Sequence, residues 1–175
     1  WFYARSRNDV DPENMILFGQ SLGGANALTL AGREKLPGLK AVVADSAFSS
    51  YSRIGREKML QIPVLGYLLW PFSPLIVSGG LSPDAGIKNI APTPLLLIHG
   101  NQDTVVPSSH SDRLFAAAST PKWLWTLEGG GHTEAFARFR TQIAPRLLRF
   151  MDYALSGDAS RLDSADQEQI AIRPR

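Results

Sequence analysis

The chain has 175 residues, of which 44% are hydrophobic, and this size and apolar fraction fit one globular domain or part of one. It contains no cysteine, which excludes a thiol nucleophile, a cysteine metal site and a disulfide framework. The formal net charge is only +2, so we expect no nucleic-acid partner.

The chain begins with Trp1 and shows neither the charged nor the apolar segment of a signal peptide. We therefore expect the natural N-terminus to lie upstream, where it could carry a membrane anchor. Localisation and oligomeric state stay open. The apolar residues 64–77 are too few and too interrupted by proline to cross a bilayer as a helix.

Strand and helix patterns alternate along the chain, which predicts an α/β fold with a parallel sheet and flanking helices. Short apolar runs predict strands at residues 15–18, 39–44, 94–98 and 122–127. Amphipathic or helix-forming segments predict helices at residues 1–6, 23–34, 108–118 and 136–155, the last with a restart at Pro145.

Two segments do not fit this alternation. Residues 53–90 contain four prolines and predict an irregular cap or pocket wall that offers apolar contacts to a substrate. Residues 156–175 are polar without apolar periodicity and predict a disordered tail. The folded domain is accordingly expected within residues 1–155.

The segment Gly19-Gln20-Ser21-Leu22-Gly23 has the G-x-S-x-G pattern of a nucleophile elbow. A serine hydroxyl is a poor nucleophile at neutral pH, so it must be exposed on a sharp turn beside a base and N–H donors. Gly19 and Gly23 are expected to let the helix pass close to the strand, where side chains would collide. The alternative is a glycine-rich turn with a solvent-exposed serine.

Together with His99-Gly100-Asn101-Gln102-Asp103 and Gly130-Gly131-His132, this segment resembles the α/β-hydrolase family. The resemblance is to bacterial serine hydrolases of its prolyl-oligopeptidase-like and esterase-like branch. It extends over residues 9–153 and does not cover a whole domain of the family. It implies the C-terminal half of an α/β-hydrolase fold, with the N-terminal strands missing.

Ser21, Asp103 and His132 each follow a predicted strand, and loops after parallel strands emerge at the same edge of a sheet. Their order is that of the α/β-hydrolase triad. We expect Ser21 to be the nucleophile, His132 the general base and acid, and Asp103 the carboxylate that orients the imidazole. The N–H of Leu22 is expected to donate to the oxyanion. In the family the second donor comes from an upstream loop, which is missing here.

Other polar residues offer alternatives. Asp45 also follows a predicted strand and could replace Asp103 as the carboxylate, although we expect it to make structural hydrogen bonds. His99 is expected to be a hydrogen-bonded core residue, with a role as the base as its alternative. His99 and Asp103 could also bind a metal ion, but two ligands without a third are weak evidence for a metal site. His110 has polar neighbours and is expected on a solvated helix face.

The tryptophans and the C-terminal arginines are expected to have structural roles and not to bind nucleic acid. Trp123 and Trp125 alternate with leucines, which favours core strand packing over stacking on nucleic-acid bases. The arginines between residues 138 and 149 are expected on a solvated helix face.

These expectations describe a serine hydrolase that cleaves an ester, thioester or amide bond through an acyl-Ser21 intermediate. The substrate class is a small-molecule or lipid-like acyl compound, and no cofactor is implied. A serine peptidase and a non-catalytic binding module of the same fold are the alternatives. Because the second oxyanion donor is missing, these 175 residues alone are expected to be inactive.

Overall fold

The computed structural model describes residues 1–61, 81–162 and 169–173. Its strands are β1 Met15–Gln20, β2 Leu39–Asp45, β3 Leu95–Gly100, β4 Lys122–Leu127 and β5 Gln169–Ile172. Its α-helices are α1 Phe2–Arg5, α2 Leu22–Arg33, α3 Tyr51–Leu60, α4 Ser109–Ala117 and α5 Arg140–Ser156. Short 3-10 helices cover Pro83–Ala85, Ile87–Ile90 and Ala159–Arg161.

All described strands form one parallel sheet in the order β1-β2-β3-β4-β5. Every residue of the central strand β3 is buried, because helices cover both faces of the sheet. This architecture confirms the predicted α/β class with a parallel sheet and flanking helices.

The two sheet faces pack against different helices. One face contacts α2 and α4 through apolar side chains that include Leu28 and Leu114. The other face contacts α5 and includes Trp123 and Trp125, which pack edge to face against Phe150. Core packing of the two tryptophans, as expected from their alternation with leucine, is therefore observed. No described helix has both the length and the apolar character needed to cross a membrane.

Strand β1 lies at the edge of the described sheet and pairs there only with β2. Its apolar residues are only partly buried, and Phe18 is 40% exposed. The ring of Phe18 packs edge to face against Phe136. An apolar strand with an unpaired edge is a site where another strand can add.

Helix α3 corrects part of the irregular segment predicted at residues 53–90. Tyr51–Leu60 is helical, and good helix formers such as Arg56, Glu57 and Lys58 favour this conformation. Residues 62–80, which include the apolar residues 64–77, lie outside the described residues. The predicted cap or pocket wall stays a prediction there.

Two C-terminal predictions are also corrected. Helix α5 begins at residue 140 rather than 136, after the buried ring of Phe139, and it continues through Pro145 without a restart. The disordered tail predicted from residue 156 is wrong for Gln169–Ile172, which pairs in parallel with β4. Ile170 and Ile172 pack against the core cluster, but four residues are too few to show a clear period in the sequence.

Candidate active site

Ser21 lies on the turn between β1 and α2 and has φ 51° and ψ −119°. A residue with a side chain rarely adopts a positive φ, and such strain persists only where the surroundings hold it. The N–H of Ser21 donates to the carbonyl of Asp45 at 2.8 Å, which ties the turn to the end of β2. The geometry is that of a strained strand-to-helix elbow with its serine at the carboxyl end of the strand.

The elbow requires a close approach between the end of β1 and the first turn of α2. A Cβ atom on Gly19 would lie 2.3 Å from the carbonyl oxygen of Gly23, so no side chain fits there. The prediction that a side chain would also collide at Gly23 is wrong, because a Cβ atom there would meet no described atom within 4 Å. Gly24 is the second tight position, since its Cβ would lie 3.0 Å from the Cβ of Ala47.

Helix α2 begins at Leu22, directly after Ser21. The first N–H groups of a helix have no acceptor within the helix, and the helix dipole favours an anion beside them. The backbone of Leu22 therefore presents an N–H next to the Ser21 hydroxyl, while its side chain is 55% exposed.

Asp103 lies in the loop between β3 and α4, with its side chain buried. Its Oδ1 accepts hydrogen bonds from the N–H groups of Val105 and Val106, each at 2.8 Å. Its Oδ2 lies 2.7 Å from Nδ1 of His132 and 3.3 Å from Nε2 of His99. Burial opposes ionisation, but these hydrogen bonds outweigh it and lower the pKa of the Asp103 carboxyl from 3.8 to about 2. Asp103 is therefore ionised at neutral pH.

His132 lies in the loop between β4 and α5 and joins the other two side chains. Its Nδ1 donates to Oδ2 of Asp103, and its Nε2 lies 2.9 Å from Oγ of Ser21. Because Nδ1 carries the hydrogen, Nε2 is left to accept the hydroxyl hydrogen. The structure thus brings Ser21, His132 and Asp103 into one hydrogen-bonded chain.

Asp45 connects the elbow to the His132 loop. Its Oδ2 accepts from the Gln20 amide at 2.9 Å, and its Oδ1 accepts from the Ser46 hydroxyl at 3.0 Å. The Ser46 oxygen in turn accepts from the N–H of Thr133 at 3.0 Å. Burial raises the pKa of the Asp45 carboxyl, against the effect of these hydrogen bonds. Asp45 makes the expected structural hydrogen bonds, whereas Asp103 holds the imidazole.

His99 is 1% exposed and hydrogen-bonded, as expected of a core residue. Its Nε2 lies 2.8 Å from the carbonyl oxygen of Val106, and its Nδ1 contacts the hydroxyl of Ser111. The described residues contain no group of three or more histidine, cysteine, aspartate or glutamate side chains that could hold a metal ion. The pair of His99 and Asp103 therefore has no third such ligand among them.

The expectation for His110 is wrong, because its side chain is fully buried rather than solvated. Nδ1 accepts from the N–H of Ser49 at 3.0 Å and lies 2.9 Å from the hydroxyl oxygen of Ser49. Nε2 lies 2.9 Å from the Glu57 carboxylate. Burial lowers the pKa of His110, while Glu57 opposes this shift. The polar sequence around His110 marks a buried hydrogen-bond network that joins α3 to α4.

Comparison with known families agrees with this geometry. Residues 1–158 match the model of the prolyl oligopeptidase family. The chain belongs to this family of α/β-hydrolases. Membership confirms the resemblance inferred from the elbow and from the two later motifs.

Curated relatives of this family member extend well beyond the matched region. The Escherichia coli K12 protein YfhR is 42% identical over 134 residues, which are 77% of this chain and 43% of that protein. Human α/β-hydrolase domain-containing protein 17B is 28% identical over 156 residues, which are 89% of this chain and 47% of that protein. The chain thus spans about half the length of the curated relatives it matches.

Solved structures show the same fold. The acylaminoacyl peptidase of Pyrococcus horikoshii superposes with a TM-score of 0.67 at 21% identity, over 93% of this chain and 27% of that one. The α/β-hydrolase GrgF of Penicillium superposes with a TM-score of 0.66 at 18% identity, over 89% of this chain and 68% of that one. At these identities the likeness shows the α/β-hydrolase fold and nothing about substrate.

Proposed function

We propose that this family member is a serine hydrolase that cleaves an ester, thioester or amide bond through an acyl-Ser21 intermediate. The observation that carries the proposal is the hydrogen-bonded chain of Ser21, His132 and Asp103, with heavy-atom distances of 2.9 and 2.7 Å. A nucleophile within hydrogen-bond reach of a base, itself oriented by a third group, is the arrangement that nucleophilic catalysis requires.

In the proposed reaction, the Ser21 oxygen attacks the substrate carbonyl carbon while Nε2 of His132 takes the hydroxyl proton. The resulting oxyanion accepts a hydrogen bond from the Leu22 N–H. The bond from carbon to the leaving group breaks, and protonated His132 gives its proton to that alcohol, thiol or amine. Water then attacks the acyl-serine, again with His132 as the base, and releases the acid.

Asp103 supports both halves of this cycle. With a pKa of about 2 it stays ionised at neutral pH, so it holds the Nδ1–H tautomer and stabilises the imidazolium that forms. Because two backbone N–H groups hold its other oxygen, the carboxylate has little freedom to rotate away from His132.

We further propose that residues 1–155 are the C-terminal half of a larger catalytic domain. Two observations support this: the chain covers about half of its curated relatives, and β1 presents an apolar edge on which Phe18 is 40% exposed. In this proposal an upstream segment pairs with β1 and supplies the second oxyanion donor. It could also carry a membrane anchor.

The substrate proposed first is a small-molecule or lipid-like ester or thioester. No cofactor takes part. A serine peptidase is the second candidate, favoured by the match to the prolyl oligopeptidase family. A non-catalytic binding module is disfavoured because all three side chains of the hydrogen-bonded chain are present and joined.

The test compares matched substrates with the full-length protein. p-Nitrophenyl esters of increasing acyl length, a thioester and a p-nitroanilide with the same acyl group are assayed for kcat/KM, with Ser21→Ala as the control. The proposal predicts turnover of the esters that is lost in Ser21→Ala. Turnover of the anilide that is lost in Ser21→Ala would support the peptidase, because the amide bond is much less reactive than the matched ester. No turnover of any substrate would support the binding module.

A further inference from the structure

We infer that His99 is a positioning residue that holds Asp103 in place and moderates its effect on His132. This inference deepens the proposed hydrolase function and rests on it. His99 lies near the end of β3 and is 1% exposed, and the reaction steps above give it no task. A buried imidazole beside the acid of a catalytic chain calls for a physical explanation.

The contacts of His99 place a hydrogen on its Nε2 atom. Nε2 lies 2.8 Å from the carbonyl oxygen of Val106 and 3.3 Å from Oδ2 of Asp103. Both of these atoms are acceptors, so Nε2 must carry a hydrogen. Nδ1 contacts the Ser111 hydroxyl, which can donate to it. The Nε2–H of His99 therefore points at the loop between β3 and α4 that carries Asp103.

Through these contacts His99 holds the loop between β3 and α4, which carries Asp103. Ser111 lies in the first turn of α4, after the loop, and Val106 and Asp103 lie within it. One side chain from β3 thus holds the middle and the far end of this loop, whose first residues, Asn101 and Gln102, donate backbone hydrogen bonds to Leu127 and Gly130. The N–H groups of Val105 and Val106 hold the other oxygen of Asp103, so they and His99 together fix the carboxylate where His132 requires it, and the two N–H groups keep it there in a His99 variant.

The two oxygens of Asp103 are used differently. Oδ1 accepts from two backbone N–H groups, whereas Oδ2 faces the imidazoles of His132 and His99. Hydrogen bonding from His99 helps to lower the pKa of Asp103. Because the charge of the Asp103 carboxylate is already stabilised by His99 as a second hydrogen-bond donor, this carboxylate attracts the His132 imidazolium less strongly. His99 thereby weakens the effect of Asp103 on the His132 imidazolium.

Other titratable groups act on the same site, and they are the same in the wild type and in the His99 variants. Asp45 on β2 interacts with both His99 and His132. His110 on α4 interacts with His99 and is itself paired with Glu57 on α3.

The experiment measures the pKa of His132 by NMR titration of its imidazole in the full-length protein, so that it does not depend on turnover. His99→Leu removes the donor, and His99→Gln keeps an amide N–H near the position of Nε2. We expect His99→Leu to raise the pKa of His132 by about one unit, the size expected for loss of a hydrogen bond to a charged group. His99→Gln should stay within about half a unit of the wild type.

The matched control is His110→Gln, which also loses a buried imidazole but one whose described hydrogen bonds go to Ser49 and Glu57 and not to Asp103. Its His132 should titrate as in the wild type. If His99→Leu does not fold, His99→Asn is measured in its place, because its shorter amide reaches the position of Nδ1 and not that of Nε2. The same upward shift is expected.

An unchanged His132 pKa in folded His99→Leu or His99→Asn, or an equal shift in His110→Gln, would overturn the inference. The rate at which a fluorophosphonate labels Ser21 is also measured against pH. The midpoint on the acid side of this profile should shift by the same amount as the His132 pKa measured by NMR. If Ser21 is not labelled in the wild type, the hydrolase proposal fails, whereas the NMR titration still decides the role of His99.

Discussion

The Nε2 atom of His132 lies 2.9 Å from the Oγ atom of Ser21, although 111 positions separate the two residues in the chain. They follow β1 and β4, which are separated by two strands, so their strand ends are about 14 Å apart at three spacings of about 4.8 Å. The His132 loop must therefore reach back across the sheet. The hydrogen bond from Thr133 to Ser46, at the end of β2, supports it on the way.

Asp103→Asn should lower kcat by about four orders of magnitude, because an amide cannot hold the Nδ1–H tautomer of His132 or stabilise its imidazolium. Steady-state ester hydrolysis measures the effect. A rate within tenfold of the wild type would remove Asp103 from the proposed mechanism.

The same variant should change the acid stability of the protein. The folded-state pKa of Asp103, about 2, lies below the ordinary value of 3.8, so its ionised form stabilises the fold above pH 3.8 and this contribution is lost as the pH falls towards 2. Urea unfolding midpoints should therefore fall less between pH 4 and pH 2 in Asp103→Asn than in the wild type. Parallel pH profiles would contradict the assigned hydrogen bonds.

Asp45→Asn should behave in the opposite way. Burial raises the pKa of Asp45, so the ionised carboxyl costs stability at neutral pH and this cost disappears as the pH falls through the raised pKa. An amide can still accept from Ser46, and Gln20 can turn its own amide to match. We expect unfolding free energy at pH 7 equal to or above that of the wild type, and kcat within about tenfold. A collapse of kcat here, with Asp103→Asn unaffected, would transfer the acid role to Asp45.

Gly19→Ala and Gly23→Ala form a matched pair at the two glycines of the elbow pattern. A methyl group on Gly19 would overlap the backbone of α2, and overpacking of this kind should cost at least about 3 kcal/mol of unfolding free energy. A methyl group on Gly23 meets no described atom within 4 Å, so its cost should be much smaller. Thermal and urea unfolding of both variants decide this, and equal losses would contradict the elbow geometry.

The 175-residue chain expressed alone should self-associate and show little esterase activity. In this prediction the apolar edge of β1 lacks its strand partner and the oxyanion lacks its second donor, whose loss typically costs about a hundred- to a thousandfold in kcat. The comparison is with a protein extended upstream by roughly one hundred residues, the size of half a typical domain of this kind. A monomeric, cooperatively unfolding short chain with equal activity would refute the half-domain proposal.

Local sequence patterns were enough to locate strands β1 to β4 and the three side chains that meet at their carboxyl ends. Val42 and Val43 lie in an apolar run that is typical of a strand buried on both faces. Asp103 and His132 are polar residues in the loops that follow such runs. Parallel strands bring the residues after them to one edge, so their meeting could be predicted without a structure.

The network around His110 could not be predicted in this way. Its partners, Ser49 and Glu57, lie 61 and 53 positions away, and polar residues that bury one another leave no apolar period in the sequence. The strand Gln169–Ile172 was missed for a related reason, since its pairing with β4 is a tertiary contact that four residues do not encode locally.

The most direct test of the account is the site of reaction with a fluorophosphonate, which phosphonylates a serine only where a base activates it. The full-length protein and Ser21→Ala are labelled at neutral pH, and the modified peptide is identified by mass spectrometry. We expect a single adduct on Ser21 that is absent from Ser21→Ala. Undiminished labelling of Ser21→Ala at another serine would contradict it.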